Sequence, residues 1–351
     1  MNLKRILVFR FSAMGDVALT LPVLQSLKNA FPEIEITLVT RPKFKPIFDQ
    51  ADINVFGADL DQYYTGIPGL QRLFNKLRDL KPDAIFDLHD NLRTRILGLL
   101  FRLFGIPVYV FEKGRLSKQK ATGSDRIHHR DQLPHTTSRY LKVFKRAGLD
   151  FEIADPPYIR FDKNHEFFLT KLNPDLNSGL RLIGVAPFAA HRTKIWPLEK
   201  FKDLFRDFEN HQNIRFLLFG GGKLEIEIFK QIERDHPNTT SLAGILSLQE
   251  ELKVISSLEA MICVDSSNMH LASLCGVPVL SIWGGTHRIT GFGPLPNHQN
   301  KIIEIDLNEL PCRPCSVYGK SICMRGDFAC MEQISAKKTG EALKEMLLLK
   351  E

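Results

Sequence analysis

Met261-Ile262-Cys263-Val264-Asp265-Ser266-Ser267-Asn268-Met269-His270-Leu271-Ala272-Ser273-Leu274 begins as a strand and ends as a helix. Its first four residues are a short apolar run, the pattern of a strand buried in a parallel sheet. Met269, Leu271, Ala272 and Leu274 then follow at positions that suit one helix face. Between them Asp-Ser-Ser-Asn offers four side chains able to cap a helix. A strand feeding such a helix turns free backbone N–H groups and the positive dipole end toward the carboxyl edge of the sheet. That edge is an anion site, most simply a phosphate site. An ordinary strand–helix junction reads the same way, so the flanking chain has to discriminate.

Outward from this stretch, strand and helix keep alternating. Downstream, Val279–Trp283 is a strand ending in Gly284-Gly285. Upstream, residues 182–187 are a strand leading to His191-Arg192-Thr193-Lys194-Ile195-Trp196-Pro197 and a helix over 198–209. Residues 215–219 are a strand ending in Gly220-Gly221-Gly222, with a helix over 224–234, a short strand and turn over 242–247 and a helix over 248–258. The amino-terminal half repeats the scheme. A strand over 4–11 meets Ser12-Ala13-Met14-Gly15-Asp16 and a helix over 17–30, followed by strands over 35–40, 54–56, 83–88 and 108–111, with helices over 69–80 and 136–147 and another that follows the His89–Arg95 stretch to about 104. Residues 150–179 are rich in Pro, Asn and Asp and read as a linker carrying one helix near 163–172.

The expected fold is therefore α/β, with two doubly wound parallel-sheet domains. Residues 1–165 form the first, 175–333 the second, and 334–351 a final helix that packs back on the first. No G-x-G-x-x-G is present, so the dinucleotide fingerprint is missing.

The chain has 351 residues with a formal charge of +7, which favours polyanionic partners. Much of the excess lies at 113–146, read either as a solvated face or as a contact for an acidic partner. No run reaches the ~18–20 apolar residues that span a membrane. The amino terminus is too briefly apolar for a signal peptide, which predicts a cytoplasmic protein. Cys263 and Cys275 lie in apolar segments and read as core. Cys312, Cys315, Cys323 and Cys330 form C-x2-C-x7-C-x6-C, which could hold a structural zinc on four thiolates, but the second pair is spaced more widely than in most zinc ribbons, so free thiols or a labile disulfide are the favoured reading.

Ligands of doubly wound sheets sit beyond the carboxyl ends of the strands, so a cleft between the domains is the expected site. The first domain would supply Ser12, Gly15 and Asp16, with Asn91 and Arg93. The second would supply Lys194, the Gly220–Gly222 turn, Glu225, the helix start at 265–270 and Gly284-Gly285. An anion cradle, a cation and an opposed carboxylate are the parts that group transfer from a nucleotide diphosphate needs. Each part has a plainer reading: Asp16 as a helix cap, Lys194 as a loop lysine, His270 as a satisfied half-buried histidine.

Several ordered motifs, taken together, resemble glycosyltransferase family 9, the lipopolysaccharide heptosyltransferases. They are Arg10-Phe-Ser-Ala-Met-Gly-Asp16-Val, Asp87-Leu-His-Asp-Asn-Leu-Arg-Thr-Arg95, Lys194-Ile-Trp-Pro197, Phe219-Gly-Gly-Gly222 and Val264-Asp-Ser-Ser-Asn-Met-His270, with Cys312-Arg-Pro-Cys315 and Cys330-Met331. The resemblance implies a GT-B architecture and inverting transfer of heptose from ADP-heptose (ADP-L-glycero-D-manno-heptose) to an inner-core sugar of a lipid A-linked precursor. It implies no cofactor, no catalytic metal and no nucleic acid, with peripheral contact at the inner face of the inner membrane. Asp16 would be the general base and Lys194 the group set against the diphosphate. Asp265 would lie near the donor sugar and Ser266, Ser267, Asn268 and His270 around the phosphates. Ser12, Gly15 and Thr193 would also contact the donor, and Glu225, or Glu227 two residues on, its ribose. The chain departs from the pattern in having no glycine after Asp265. Two other readings compete: a nucleotide-sugar epimerase of the same architecture, and a non-catalytic polyanion-binding protein.

Overall fold

The computed structural model describes residues 3–122, 128, 131–161, 176, 179–319 and 322–349. The chain divides into two compact units, Met1–Gly114 with Pro134–Tyr158, and Arg115–Leu133 with Ile159–Glu351. The helix expected near 163–172, together with Arg126 and Arg130 of the basic segment, lies outside the described residues.

In chain order the first unit carries β1 (Arg5–Phe9), α1 (Met14–Ala18), α2 (Leu21–Ala30), β2 (Glu35–Thr40), β3 (Asn54–Gly57), α3 (Gly66–Arg78), β4 (Ala84–Asp87), α4 (Leu92–Leu103) and β5 (Val108–Val110). Next comes α5 (Arg115–Thr122), which groups with the second unit, and then α6 (Thr136–Lys145), which returns to the first. The helix expected over 17–30 is two helices, with Thr20 between them and Pro22 opening the second.

The sheet order is β3-β2-β1-β4-β5, and every pairing is parallel. β1 pairs with both β2 and β4, so the winding reverses between β1 and β4. Phe9 lies opposite Asp87 in that register. The residues leaving these two strands therefore meet at the switch point. Leu7, Phe9, Ile85, Leu97 and Phe101 belong to the core beneath them.

The second unit carries β6 (Arg181–Ala186), α7 (Leu198–Asp207), β7 (Ile214–Leu218), α8 (Lys223–Asp235), β8 (Thr239–Ser241), α9 (Leu248–Ile255), β9 (Ala260–Val264), α10 (Ser267–Leu274), β10 (Val279–Trp283), β11 (Lys301–Glu304), α11 (Ala329–Glu332) and α12 (Ala336–Met346). Its order is β11-β10-β9-β6-β7-β8, again wholly parallel. The strand at 301–304 is an addition to the expected set, a run of only four residues at the sheet's edge. Here the winding reverses between β6 and β9, with Ala186 opposite Cys263. The fold is thus α/β with two doubly wound parallel sheets, as the alternation predicts.

Two segments group differently from the expected boundaries. Leu133 N–H donates to Ile289 O at 2.8 Å, and buried Lys118 lies 4.3 Å over the Phe292 ring, so part of the basic segment is packed inside the second unit. The final helix expected on the first domain is α12, and Leu343, Met346 and Leu347 sit in the second unit's core with Leu204 and Phe208. Its apolar face repeats at helical spacing and finds the matching face of α7. Among the described residues no helix is long and apolar enough to cross a membrane.

Candidate functional site

At the first switch point Arg10 leaves β1 and turns back under α1. Its guanidinium is buried, with Nη2 2.5 Å from Asp16 Oδ2, Nη1 donating to Leu88 O at 2.7 Å, and the group 5.8 Å over the Tyr140 ring. Tyr140 Oη donates to the backbone oxygen of Asp16 at 3.3 Å. Asp16 is therefore fixed by side chain and main chain, with its carboxylate the more exposed member of the pair, 25% against 8%. It does not cap α1: the N-cap is Ala13, with no side-chain bond to the helix. An ion pair to a buried guanidinium outcompetes local capping because an unpaired buried charge costs several kcal/mol.

His89, leaving β4, accepts the Phe11 N–H on Nδ1 at 3.1 Å. Burial, then the nearby Arg10 and Lys113 charges, push its pKa down to about 3, so the imidazole stays neutral. Asp87 beneath it accepts the N–H groups of His89 and Asp90, both at 2.9 Å, and burial pushes its carboxyl up. Asn91, expected to face a ligand, caps α4 by accepting the Thr94 N–H at 2.9 Å. Ser12 and Gly15 are half-buried on the same edge.

At the second switch point a short helical turn, Arg192–Lys194, follows β6. Lys194 Nζ lies 2.8 Å from Asp265 Oδ2, the residue after β9, with the side chains 15% and 11% exposed. Thr286 Oγ1 donates to the same oxygen at 2.8 Å. Sequence reading brings Lys194 and Asp265 to one edge and misses Thr286, the residue directly after the Gly284-Gly285 turn that it did single out. α10 begins next to this pair. Ser266 is its N-cap but makes no capping bond, and Ser266 Oγ is buried without a hydrogen-bond partner. No acidic residue lies in the first turn, so the leading amides and dipole end remain available to an anion. Ser267 and Asn268 are half-buried there, and His270 is buried one turn in.

The remaining expected residues fall into place around this edge. Thr193 Oγ1 donates to Gly319 O at 2.6 Å, and Gly285 N–H to Thr193 O at 2.8 Å, so Thr193 braces the loop that carries Lys194. Glu225 folds back on its own glycine turn, its Oε2 accepting Gly221 N–H at 2.9 Å; Glu227 is exposed.

A residue that sequence reading passed over holds the edge together. Arg313 is fully buried, with Nε donating to Gly284 O at 2.6 Å and Nη2 to Trp283 O at 2.9 Å and Thr286 O at 3.3 Å, while Nη1 reaches Ile305 O. One guanidinium thereby satisfies four carbonyls at the ends of β10 and β11 and fixes the turn that presents Thr286. Glu304 faces it across 3.5 Å. Burial opposes ionisation of Glu304, but the bond from His287 and the Arg313 charge together hold it below the usual carboxylate range. The chain beyond Arg313 lies over Lys194: Gly319 has φ +80°, and a Cβ there would stand 2.6 Å from Lys194 Cε.

Among the described residues no three His, Cys, Asp or Glu side chains come into metal-holding geometry. Cys315 Sγ is 3.4 Å from Cys312 O, and burial pushes the Cys330 thiol up to about 11. Cys263 is buried in β9 as expected, while Cys275 is half-buried.

Residues 70–321 match the description Glycosyltransferase family 9 (heptosyltransferase). The chain belongs to that family. It is 22% identical over 290 residues to lipopolysaccharide core heptosyltransferase OpsX of Haemophilus influenzae, covering 80% of this chain and 79% of OpsX. The fold is shared with a family 9 glycosyltransferase from Veillonella parvula, with TM-score 0.76, 21% identity and coverage of 100% and 99% of the two chains. It is shared likewise with E. coli heptosyltransferase WaaC solved with ADP-2-deoxy-2-fluoro heptose, with TM-score 0.66, 18% identity and coverage of 97% and 99%. The family 9 assignment places the two doubly wound sheets in the GT-B architecture that the motifs imply.

Proposed function

We propose that this heptosyltransferase-family chain moves a heptose from ADP-L-glycero-D-manno-heptose to an inner-core sugar of a lipid A-linked lipopolysaccharide precursor, with inversion. The observation that carries the reading is the uncapped start of α10, flanked by Lys194 on Asp265, in a member of this family.

In the step, the acceptor hydroxyl oxygen bonds to the anomeric carbon while that carbon's bond to the β-phosphate oxygen breaks. The electron pair leaves with ADP, and the hydroxyl proton passes to the Asp16 carboxylate. Arg10 holds that carboxylate in place. Lys194 and the α10 amides take up charge gained by the diphosphate, the role a divalent ion plays elsewhere. Ser266, Ser267, Asn268 and His270 surround the phosphates and Asp265 lies near the sugar, while Ser12, Gly15 and Thr193 complete the donor contacts. Glu225 uses only Oε2 on its turn, leaving Oε1 for the ribose. Catalysis occurs with the chain peripheral to the inner membrane, where its acceptor is anchored.

The test is donor binding and turnover with ADP-, GDP- and UDP-sugars on a lipid A-linked acceptor, with the product's anomeric configuration read by NMR. ADP-heptose alone is expected to bind and transfer with inversion, and Asp16→Ala to bind donor without turnover. Preference for another nucleotide sugar would remove the heptose assignment, retained configuration the single displacement, and full activity in Asp16→Ala the base. Polyanion binding with no taste for nucleotide sugars would make the chain a binding protein.

A further inference from the structure

Helix α4 buries Thr94, Leu97, Gly98 and Phe101. On its opposite side Leu92, Leu99 and Leu103 fall within about 40° of arc at ~100° per residue, while Ile96 beside them packs partly against the core. Leu92 is 75%, Leu99 57% and Leu103 74% exposed, and Phe104, next in the chain, 57%. Single exposed leucines are ordinary, whereas a stripe of them diametrically opposite the core is not accounted for by packing.

The charges around the stripe have one sign. α3 and α4 together contain Arg72, Lys76, Arg78, Arg93, Arg95 and Arg102 and no Asp or Glu. By helical spacing Arg95 and Arg102 border one side of the stripe and Arg93 the other. Asp90, just before α4, pairs with Arg95 at 2.6 Å, which leaves that arginine 57% exposed. Arg78 lies 5.1 Å over the exposed Phe104 ring and so joins the edge of the same patch.

We propose that the outward face of α4 is the surface by which this chain lies on an anionic phospholipid bilayer. The inference rests on the proposed reading only in that a lipid-linked acceptor must be met at a membrane; the face itself is argued from its own residues. Leucines over the acyl boundary with arginines at headgroup level is the arrangement of an interfacial helix lying in the bilayer plane. A second copy is the poorer occupant, because a two-fold contact would set these arginines against themselves. α4 also starts at the carboxyl edge of the sheet, beside His89 and Asp90, so this surface leads from the bilayer to the edge that carries Asp16.

The experiment is flotation of the full chain with phosphatidylglycerol-rich vesicles and with pure phosphatidylcholine vesicles. Wild type is expected to bind the first in a salt-sensitive manner and the second weakly. Leu99→Gln/Leu103→Gln is expected to lose at least about tenfold of that binding. The same variant should keep its thermal midpoint and its turnover of ADP-heptose on a water-soluble acceptor. Lys76→Gln/Arg102→Gln should lower the salt dependence. Wild type that ignores anionic vesicles while still turning over soluble acceptor overturns the surface and leaves the reaction. A loss of sedimentation mass in the leucine variant, with vesicle binding kept, assigns the face to a second copy and overturns the proposal. Vesicle binding lost by the leucine variant, in a protein that transfers nothing, keeps the surface and removes the reaction.

Discussion

Both sheets reverse their winding beside a cation–carboxylate pair, Arg10 with Asp16 in the first unit and Lys194 with Asp265 in the second. In the first pair the cation is buried and the carboxylate sits inside the following helix, in its first turn. In the second the carboxylate precedes the helix, whose first turn carries no acid. One helix start is thus neutralised by its own chain, and the other is left positive. The same topology has been dressed once to present a negative group and once to attract one. For a transfer reaction these are the two complementary needs, a proton acceptor for the nucleophile and an electrophilic cradle for the leaving group.

Crossed substitutions probe that difference most severely. Asp16→Asn is expected to lower kcat by about 10²–10⁴ with donor affinity intact. Lys194→Met is expected to lower kcat/KM by about 10²–10³ and to weaken ADP binding as well. Donor titrations on both variants check this, and equal losses of affinity would show that the two sites do not divide the work.

Stability should respond to pH in opposite directions in the two units. His89, held neutral down to about 3, is depressed below its unfolded value near 6.5, so its contribution is present above about 6.5 and is lost as pH falls. Glu251 of α9 is raised by burial to about 7, so its contribution is present below about 4.3 and is lost as pH rises through 7. Each is worth on the order of 3 kcal/mol at the limit. Thermal midpoints should show Glu251→Gln more stable than wild type at alkaline pH. His89→Asn, which can keep the Phe11 bond through Oδ1, should flatten the acid-side loss. The same sign from both would refute the assignment.

The smallest effect sharpens the second site alone. At Gly319→Ala a new Cβ 2.6 Å from Lys194 Cε pushes the lysine off Asp265. About a tenfold loss in kcat/KM is expected, on top of ~1 kcal/mol of left-handed backbone strain. Gly326→Ala, at φ +77° with nothing within 4 Å, should show the strain without the kinetic loss.

Much of this was legible in the sequence because it is local. Apolar periodicity located most strands and helices, and the motifs gathered Lys194 and Asp265 at one edge. What escaped depends on strands adjacent in space but distant in sequence. The Arg10–Asp16 pair needs β4 beside β1 to bury the arginine, and without that neighbour capping is the simpler reading of Asp16. Arg313 looked like a basic residue in a cysteine-bearing tail, since only the paired ends of β10 and β11 supply its four carbonyls. Glu225 has a local duty that the family resemblance did not show: its Oε2 closes a capping box on its own glycine turn. Lys118 was one of a cluster of surface charges until two aromatic rings from the other end of the chain covered it.

Arg313 and Gly319 also set an order on the making of this molecule. The partners described above for the first unit's pair all lie at or before Tyr140, where more than half of the chain is still unmade. The second unit's edge waits for a buried arginine and a glycine within the last ~40 residues, and for the closing helix that seals its core. On a ribosome, where amino-terminal segments emerge first, the Arg10–Asp16 pair would stand ready before the edge that carries Lys194 and Asp265 is complete. A chain cut short ahead of residue 313 would keep the one and forfeit the other.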